Sequence, residues 1–153
     1  MKPALRFFED FKVGLRFRSF GEIVVSAERI KSFAAEFDPQ PFHLDDAAGT
    51  GTFFGGLVAS GWHTGAMWMR LYVDSLLGGA SGQGSSGIEE LRWLAPVRPG
   101  DTLSGRLTVL EATASESHPD RVSVRIRGEM ANQDGVTVMS MVSRGRFARR
   151  GPQ

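Results

Sequence analysis

Asp38 and His43 stand five residues apart in Phe37-Asp38-Pro39-Gln40-Pro41-Phe42-His43, and eighteen residues further on Gly61 lies in Ser60-Gly61-Trp62-His63-Thr64. A carboxylate and an imidazole on a chain stiffened by two prolines can act as base and acid. A glycine opening a helix offers a backbone N–H with no intrahelical partner. The helix dipole adds positive charge there, and the missing side chain lets a carbonyl approach closely. These are the tools needed to add water to, or remove it from, a double bond conjugated to a thioester. The base takes a proton from water as it attacks the β-carbon, the acid protonates the α-carbon, and the N–H holds the charge on the thioester oxygen. One such donor is worth roughly 3–4 kcal/mol of barrier. A single water shared by Asp38 and His43 can be both nucleophile and proton source, which predicts addition on one face.

The same residues also have plain structural readings. Asp38 can be a helix C-terminal turn residue, His43 a satisfied half-buried histidine, and Gly61 a helix-start glycine. His63 can line a pocket or serve packing. His118 precedes Pro119 in a charged loop and reads as surface. Three dispersed histidines have no metal-ligand spacing, so no metal is expected.

The elements that must position these residues follow from patterning. Phe17 to Val25 is β-rich, and Ser26 is a good N-cap. Ile30, Phe33, Ala34 and Phe37 form an apolar helical stripe, which Pro39 and Pro41 end. Asp45 to Ala48 suits one short turn, and Gly49 to Gly56 a flexible loop. Gly61 to Leu77 reads as the main helix. Its apolar residues Trp62, Ala66, Met69, Tyr72, Val73, Leu76 and Leu77 cover so wide an arc that burial is expected. Gly78 to Gly87 reads as a mobile Gly/Ser-rich loop. Strands are expected over Ile88 to Leu94, Thr102 to Ala112, Arg121 to Ala131 and Val136 to Phe147, with Asn132-Gln133-Asp134-Gly135 as a hairpin turn. In the third, Val122, Val124 and Ile126 alternate with Ser123, Arg125 and Arg127, a half-buried pattern. A long helix with a mainly antiparallel sheet gives one α+β domain. Uncovered edges predict a homodimer.

The 153 residues suffice for one domain with a real core. Eighteen basic and 17 acidic residues leave a net charge of +1, which argues against a general nucleic-acid binder. Without cysteine the chain can make no disulfide, cysteine zinc site or thiol nucleophile. Early charges without an apolar run predict no signal peptide. The most apolar segment, 62–77, contains Arg70 and Asp74 and is too short and too charged to span a bilayer. A soluble, cytoplasmic protein is therefore expected.

At the Asp/His segment the chain resembles the MaoC-like dehydratases, the (R)-specific enoyl-CoA hydratases of the hot-dog fold. The family pattern Asp-x-Asn/Gln-Pro-x-His is matched by Asp38-Pro39-Gln40-Pro41-Phe42-His43, and Ser60-Gly61 follows where a His-Gly pair is common. Leu91 to Leu103 resembles the family's strand-turn-strand segment, and Phe8 to Gly14 its opening, so the likeness runs from about Phe8 to Phe147. The resemblance implies a hot-dog, an antiparallel sheet wrapped around one long central helix, paired into a dimer. It implies Asp38 and His43 as the catalytic pair, Gly61 N–H as the carbonyl donor, and an acyl-CoA or acyl-carrier-protein thioester as substrate. No cofactor is implied beyond the CoA of the substrate. Candidate substrate-binding residues are Gln40, Phe42, Phe53, Phe54, Leu57, Ser60, Trp62 and His63, with Met67 and Trp68 divided between pocket and core. Arg92, Arg98, Arg144 and Arg146 are candidates for CoA phosphates. Two residues depart from the pattern. Met69 stands where the family often carries a serine bonded to the carboxylate, a loss expected to raise the Asp38 pKa or loosen its hold. Ser60 replaces the common histidine. A hot-dog thioesterase and a non-catalytic acyl-CoA-binding module are the competing readings.

Overall fold

In a computed structural model, which describes residues 4–120 and 122–151, one antiparallel sheet curls around one long helix. In chain order the elements are β1 (Arg16–Phe17), β2 (Glu22–Val24), α1 (Ala27–Phe37), α2 (Pro41–Leu44), α3 (Asp46–Thr50), α4 (Gly61–Ser75), β3 (Gly82–Trp93), β4 (Thr102–Ala114), β5 (Val122–Ala131) and β6 (Thr137–Phe147). The strand order is β1-β4-β5-β6-β3, with β2 also paired to β4. This is the α+β hot-dog arrangement that the resemblance implies. Arg121, the expected start of one strand, lies outside the described residues, as do Met1 to Pro3 at the N-terminus.

The core lies between α4 and the concave face of the sheet. Alternate residues Leu103, Leu107 and Val109 of β4 and Val122, Val124 and Ile126 of β5 are buried, as period-2 patterning requires. From α4, Met67, Trp68, Leu71 and Tyr72 pack against them. A Cβ at Gly128 would lie 2.4 Å from the Trp68 ring, so this glycine is what lets the indole pack closely against β5. Trp68 then donates its indole N–H to the Arg106 carbonyl at 3.4 Å.

Several expectations need correction. The apolar residues of α4 are not all covered. Tyr72 and Leu76 are buried, but Trp62, Ala66, Met69 and Val73, at steps of four, three and four along the helix, face solvent in the single chain. Phe37, the last residue of the α1 stripe, is likewise exposed, and its ring meets that of Phe33 at 5.1 Å between centroids. Gly82 to Gly87 is not a loop but the first half of β3, paired with β6 through register shifts. The alternation that marks a strand is missing because this edge strand is exposed along almost its whole length. Gly84 and Gly87 have positive φ, which only glycine adopts readily. Pro41 starts a helix as well as ending one. It occupies the first turn of α2, where its missing N–H costs nothing. The 49–56 segment is anchored rather than free. Thr52 Oγ1 donates to the Gly49 carbonyl at 2.6 Å, and Arg98 Nη2 donates to the Phe54 carbonyl at 2.6 Å.

Candidate active site

Each candidate catalytic residue sits at the end of an element, and each end has a local cause. Ser26 caps α1 by accepting the Arg29 N–H at 3.1 Å. After eleven helical residues the chain leaves the helix at Asp38, whose N–H still donates to the Ala34 carbonyl. Pro39 blocks any further turn. Gln40 then opens α2, whose single turn carries His43 inward. The extended segment Val58 to Ser60 runs on to α4. Its Val58 N–H donates to the Phe42 carbonyl at 3.1 Å and its Ala59 N–H to the Val97 carbonyl at 2.9 Å.

These ends meet. Asp38 Oδ2 lies 3.3 Å from His43 Nε2. The other ring nitrogen of His43, Nδ1, lies 2.7 Å from the Val58 carbonyl oxygen. A carbonyl can only accept, so Nδ1 carries the proton. The Nε2 that faces Asp38 is therefore the atom that gains and loses a proton. His43 is buried, and Asp38 is partly buried, with 18% of its side chain exposed.

Gln40 donates its amide to Asp38 Oδ1 at 2.7 Å. That bond, followed by the neighbouring Ser60 hydroxyl, holds the Asp38 carboxyl below its usual range. The nearby His43 acts in the same direction, and burial opposes all three. The raised pKa expected from the missing serine is thus not found. Met69 lies two helical turns from Gly61 and lines a different cavity, while Gln40 and Ser60 stabilise the charge from the near side.

The pair opens into a cavity of about 500 Å³. Asp38, Gln40, Phe42, His43, Phe53, Phe54, Gly61 and Trp62 line it, so eight of the candidate residues converge. Three candidates do not line it. Leu57 is in the core, Ser60 is fully buried as the N-cap of α4, and His63 stacks on Phe33 of α1 at 4.8 Å. Met67 and Trp68 are core. Among the arginines, Arg92 pairs with Glu90, Arg144 with Glu89 and Glu111, and Arg98 holds the 49–56 segment.

An aromatic row (Phe53, Phe54, Phe42) leads to the His43 ring, with centroid separations of 5.6, 5.2 and 4.6 Å. It braces the imidazole from the apolar side. Sequence reasoning missed the opposite wall, Trp93 to Val97 with Val138. A tryptophan at the end of an expected strand, three residues before Pro96, was the available signal. Nothing in the sequence marks Val58, because it works through its backbone oxygen.

The arrangement supplies a secured carboxylate, an imidazole with one free nitrogen and a helix N-terminus around an apolar cavity. A MaoC-like domain model matches residues 12–130. The MaoC-like dehydratase from Rhodospirillum rubrum is 47% identical, with 95% of this chain and 99% of that one covered and a TM-score of 0.87. The R-hydratase PhaJ1 from Pseudomonas aeruginosa is 26% identical over 94% of this chain and 86% of that one, with a TM-score of 0.75. An uncharacterized Bacillus subtilis protein, YdeM, is 30% identical over 67% of this chain and 72% of its own length. Among the described residues no helix is long and apolar enough to cross a membrane. With the fold, the Asp/His segment and a family match over most of its length in agreement, this chain belongs to the MaoC-like dehydratase family.

Proposed function

We propose that this protein hydrates a trans-2-enoyl thioester to the (R)-3-hydroxyacyl thioester, or catalyses the reverse dehydration. The substrate is an acyl-CoA or acyl-carrier-protein conjugate, and no cofactor is needed beyond the carrier. The observation that carries the reading is the 3.3 Å approach of Asp38 to His43 Nε2 in the cavity that Gly61 lines. A water touching both groups loses a proton to Asp38 as its oxygen bonds to the β-carbon. Protonated His43 gives the Nε2 proton to the α-carbon. Transfer of the proton from Asp38 back to His43 across the same contact restores the pair, so one turnover adds one water. Charge on the thioester oxygen is met by the Gly61 N–H at the positive end of α4.

The active form on this reading is a homodimer. Among the described residues strand β3 ends the sheet with one edge unpaired. Next to it lies the apolar stripe Trp62, Ala66, Met69 and Val73, together with Ile88 and Trp93. A second copy would cover both.

The test is loss of the enoyl-thioester ultraviolet absorbance with crotonyl-CoA and longer enoyl-CoAs. Wild type should hydrate, and Asp38→Asn and His43→Ala should lose at least about a hundredfold in kcat. Hydration that survives both substitutions, or thioester cleavage in its place, sinks the assignment.

A further inference from the structure

Into the cavity, the start of α4 turns the Gly61 N–H, where an oxyanion site ordinarily uses two donors. The Gly61 N–H lies in the first turn of α4, but the next N–H, that of Trp62, is already taken by the Ser60 hydroxyl at 3.3 Å. The Thr64 N–H is committed to the Ser60 carbonyl at 3.1 Å. The His63 N–H has no partner among the described residues, but His63 does not line the cavity, so a second donor into it is sought on another element.

Trp93, at the end of β3, has the position for it. A Cβ built on Gly61 would lie 2.3 Å from Cε2, 2.5 Å from Cδ2 and 2.5 Å from Nε1 of the Trp93 indole. The five-membered edge of that ring therefore rests on Gly61 itself. A Cβ sits about 2.5 Å from its own backbone nitrogen, so Trp93 Nε1 lies at most about 5 Å from the Gly61 nitrogen. Donors that close can share one oxygen at ordinary hydrogen-bond length.

The indole N–H is also available. Trp68 spends its N–H on the Arg106 carbonyl, whereas Trp93 Nε1 makes no hydrogen bond among the described residues. The ring lines the same cavity as Asp38, His43 and Gly61. It is held there by the edge-to-face contact with Trp62, at 5.3 Å and 78°, and by strand pairing opposite Met139. A donor fixed before the charge develops is what stabilises a transition state rather than a ground state.

Resting on the hydratase reading above, we propose that the Trp93 indole N–H is the second hydrogen-bond donor to the thioester oxygen, acting with the Gly61 N–H. Trp93 is then a catalytic residue, and glycine at position 61 serves two ends. It exposes one donor and seats the ring that carries the other.

The experiment compares wild type, Trp93→Phe and Trp93→Ala in two measurements. One is crotonyl-CoA hydration. The other is the absorption shift of a conjugated dienoyl-CoA on binding, which reports carbonyl polarisation without needing turnover. Phe keeps an aromatic ring on Gly61 and removes the N–H. Trp93→Phe should lose roughly 10- to 100-fold in kcat with KM within about threefold, and should diminish the red shift. Trp93→Ala should lose little more. If Trp93→Phe keeps both the rate and the shift while Trp93→Ala loses them, the ring acts by packing alone and the proposal is overturned, with the hydratase reading intact. If wild type neither hydrates crotonyl-CoA nor shifts the dienoyl probe, the hydratase reading fails and takes this one with it.

Discussion

The His43 ring is held by the carbonyl of Val58, 2.7 Å from Nδ1, three residues before the helix that carries Gly61. This bond fixes the tautomer and also ties the imidazole to the segment that presents the carbonyl donor. In nitrogen-15 spectra the neutral His43 ring should show its proton on Nδ1 and a bare Nε2. The opposite tautomer would contradict the acid role assigned to Nε2.

Gln40 governs the acid side of the pH profile. The Asp38 carboxyl lies below its ordinary 3.8 chiefly because of the Gln40 amide. Asp38 should therefore stay ionised to lower pH than an ordinary aspartate. Gln40→Leu removes that bond and leaves burial opposing ionisation, so the acid limb of kcat/KM should move to higher pH. The linked stability has the matching sign. It is present above the unfolded pKa and is lost as pH falls through the lower folded value. An unmoved limb in Gln40→Leu would remove Gln40 from this role.

His63 is a buried base whose Nδ1 has no hydrogen-bond partner among the described residues. Burial, and then the charge of Arg29, lowers its pKa below 6.5. The folded state thus prefers neutral His63, and stability should fall as pH drops through 6.5 toward the folded pKa, levelling off below it. His63→Phe keeps an aromatic ring against Phe33 and removes the orphan nitrogen. It should be neutral or stabilising by about 1 kcal/mol at pH 7, with a flatter loss toward pH 5. Denaturant titrations of both proteins across that range decide it.

Gly61→Ala drives a methyl into the Trp93 ring. Overpacking of this kind costs about 1–3 kcal/mol. Urea unfolding should show the loss, and Trp93→Ala in the same chain should recover most of it. Additive losses in the double variant would mean that the two residues do not meet.

The apolar stripe of α4 and the open edge of β3 predict a dimer whose contact includes Met69 and Ile88. Met69→Glu or Ile88→Lys should shift the mass in light scattering toward the monomer, while a wild-type monomer at micromolar concentration would remove the basis for pairing.

Much of this site was legible because proline and glycine act locally. Pro39 and the Ser26 cap bracket α1, and the Asp-x4-His spacing survives folding almost as a local motif. The hairpin at Asn132–Gly135 was legible for the same reason, with Gly135 at φ 76 and its N–H on the Asn132 carbonyl. What stayed hidden depends on distant partners. Gly82 to Gly87 reads as a loop until β6 lies beside it. Trp62 and Met69 read as core because apolar periodicity cannot say whether the covering surface is in the same chain. The Val58 carbonyl and the seating of Trp93 on Gly61 are juxtapositions of segments with no shared pattern.

The register shifts of β3 bear on how far association can go. Pairing with β6 slips between Gly82 and Ser85, again before Gly87, and once more between Ile88 and Glu90, so the longest unbroken run is the four residues Glu90 to Trp93. A twelve-residue edge would otherwise be a template for stacking chain upon chain. Kinked in this way, it offers a newcomer a short flat stretch and then turns aside. Growth by strand addition should therefore terminate at a closed pair rather than propagate into a filament.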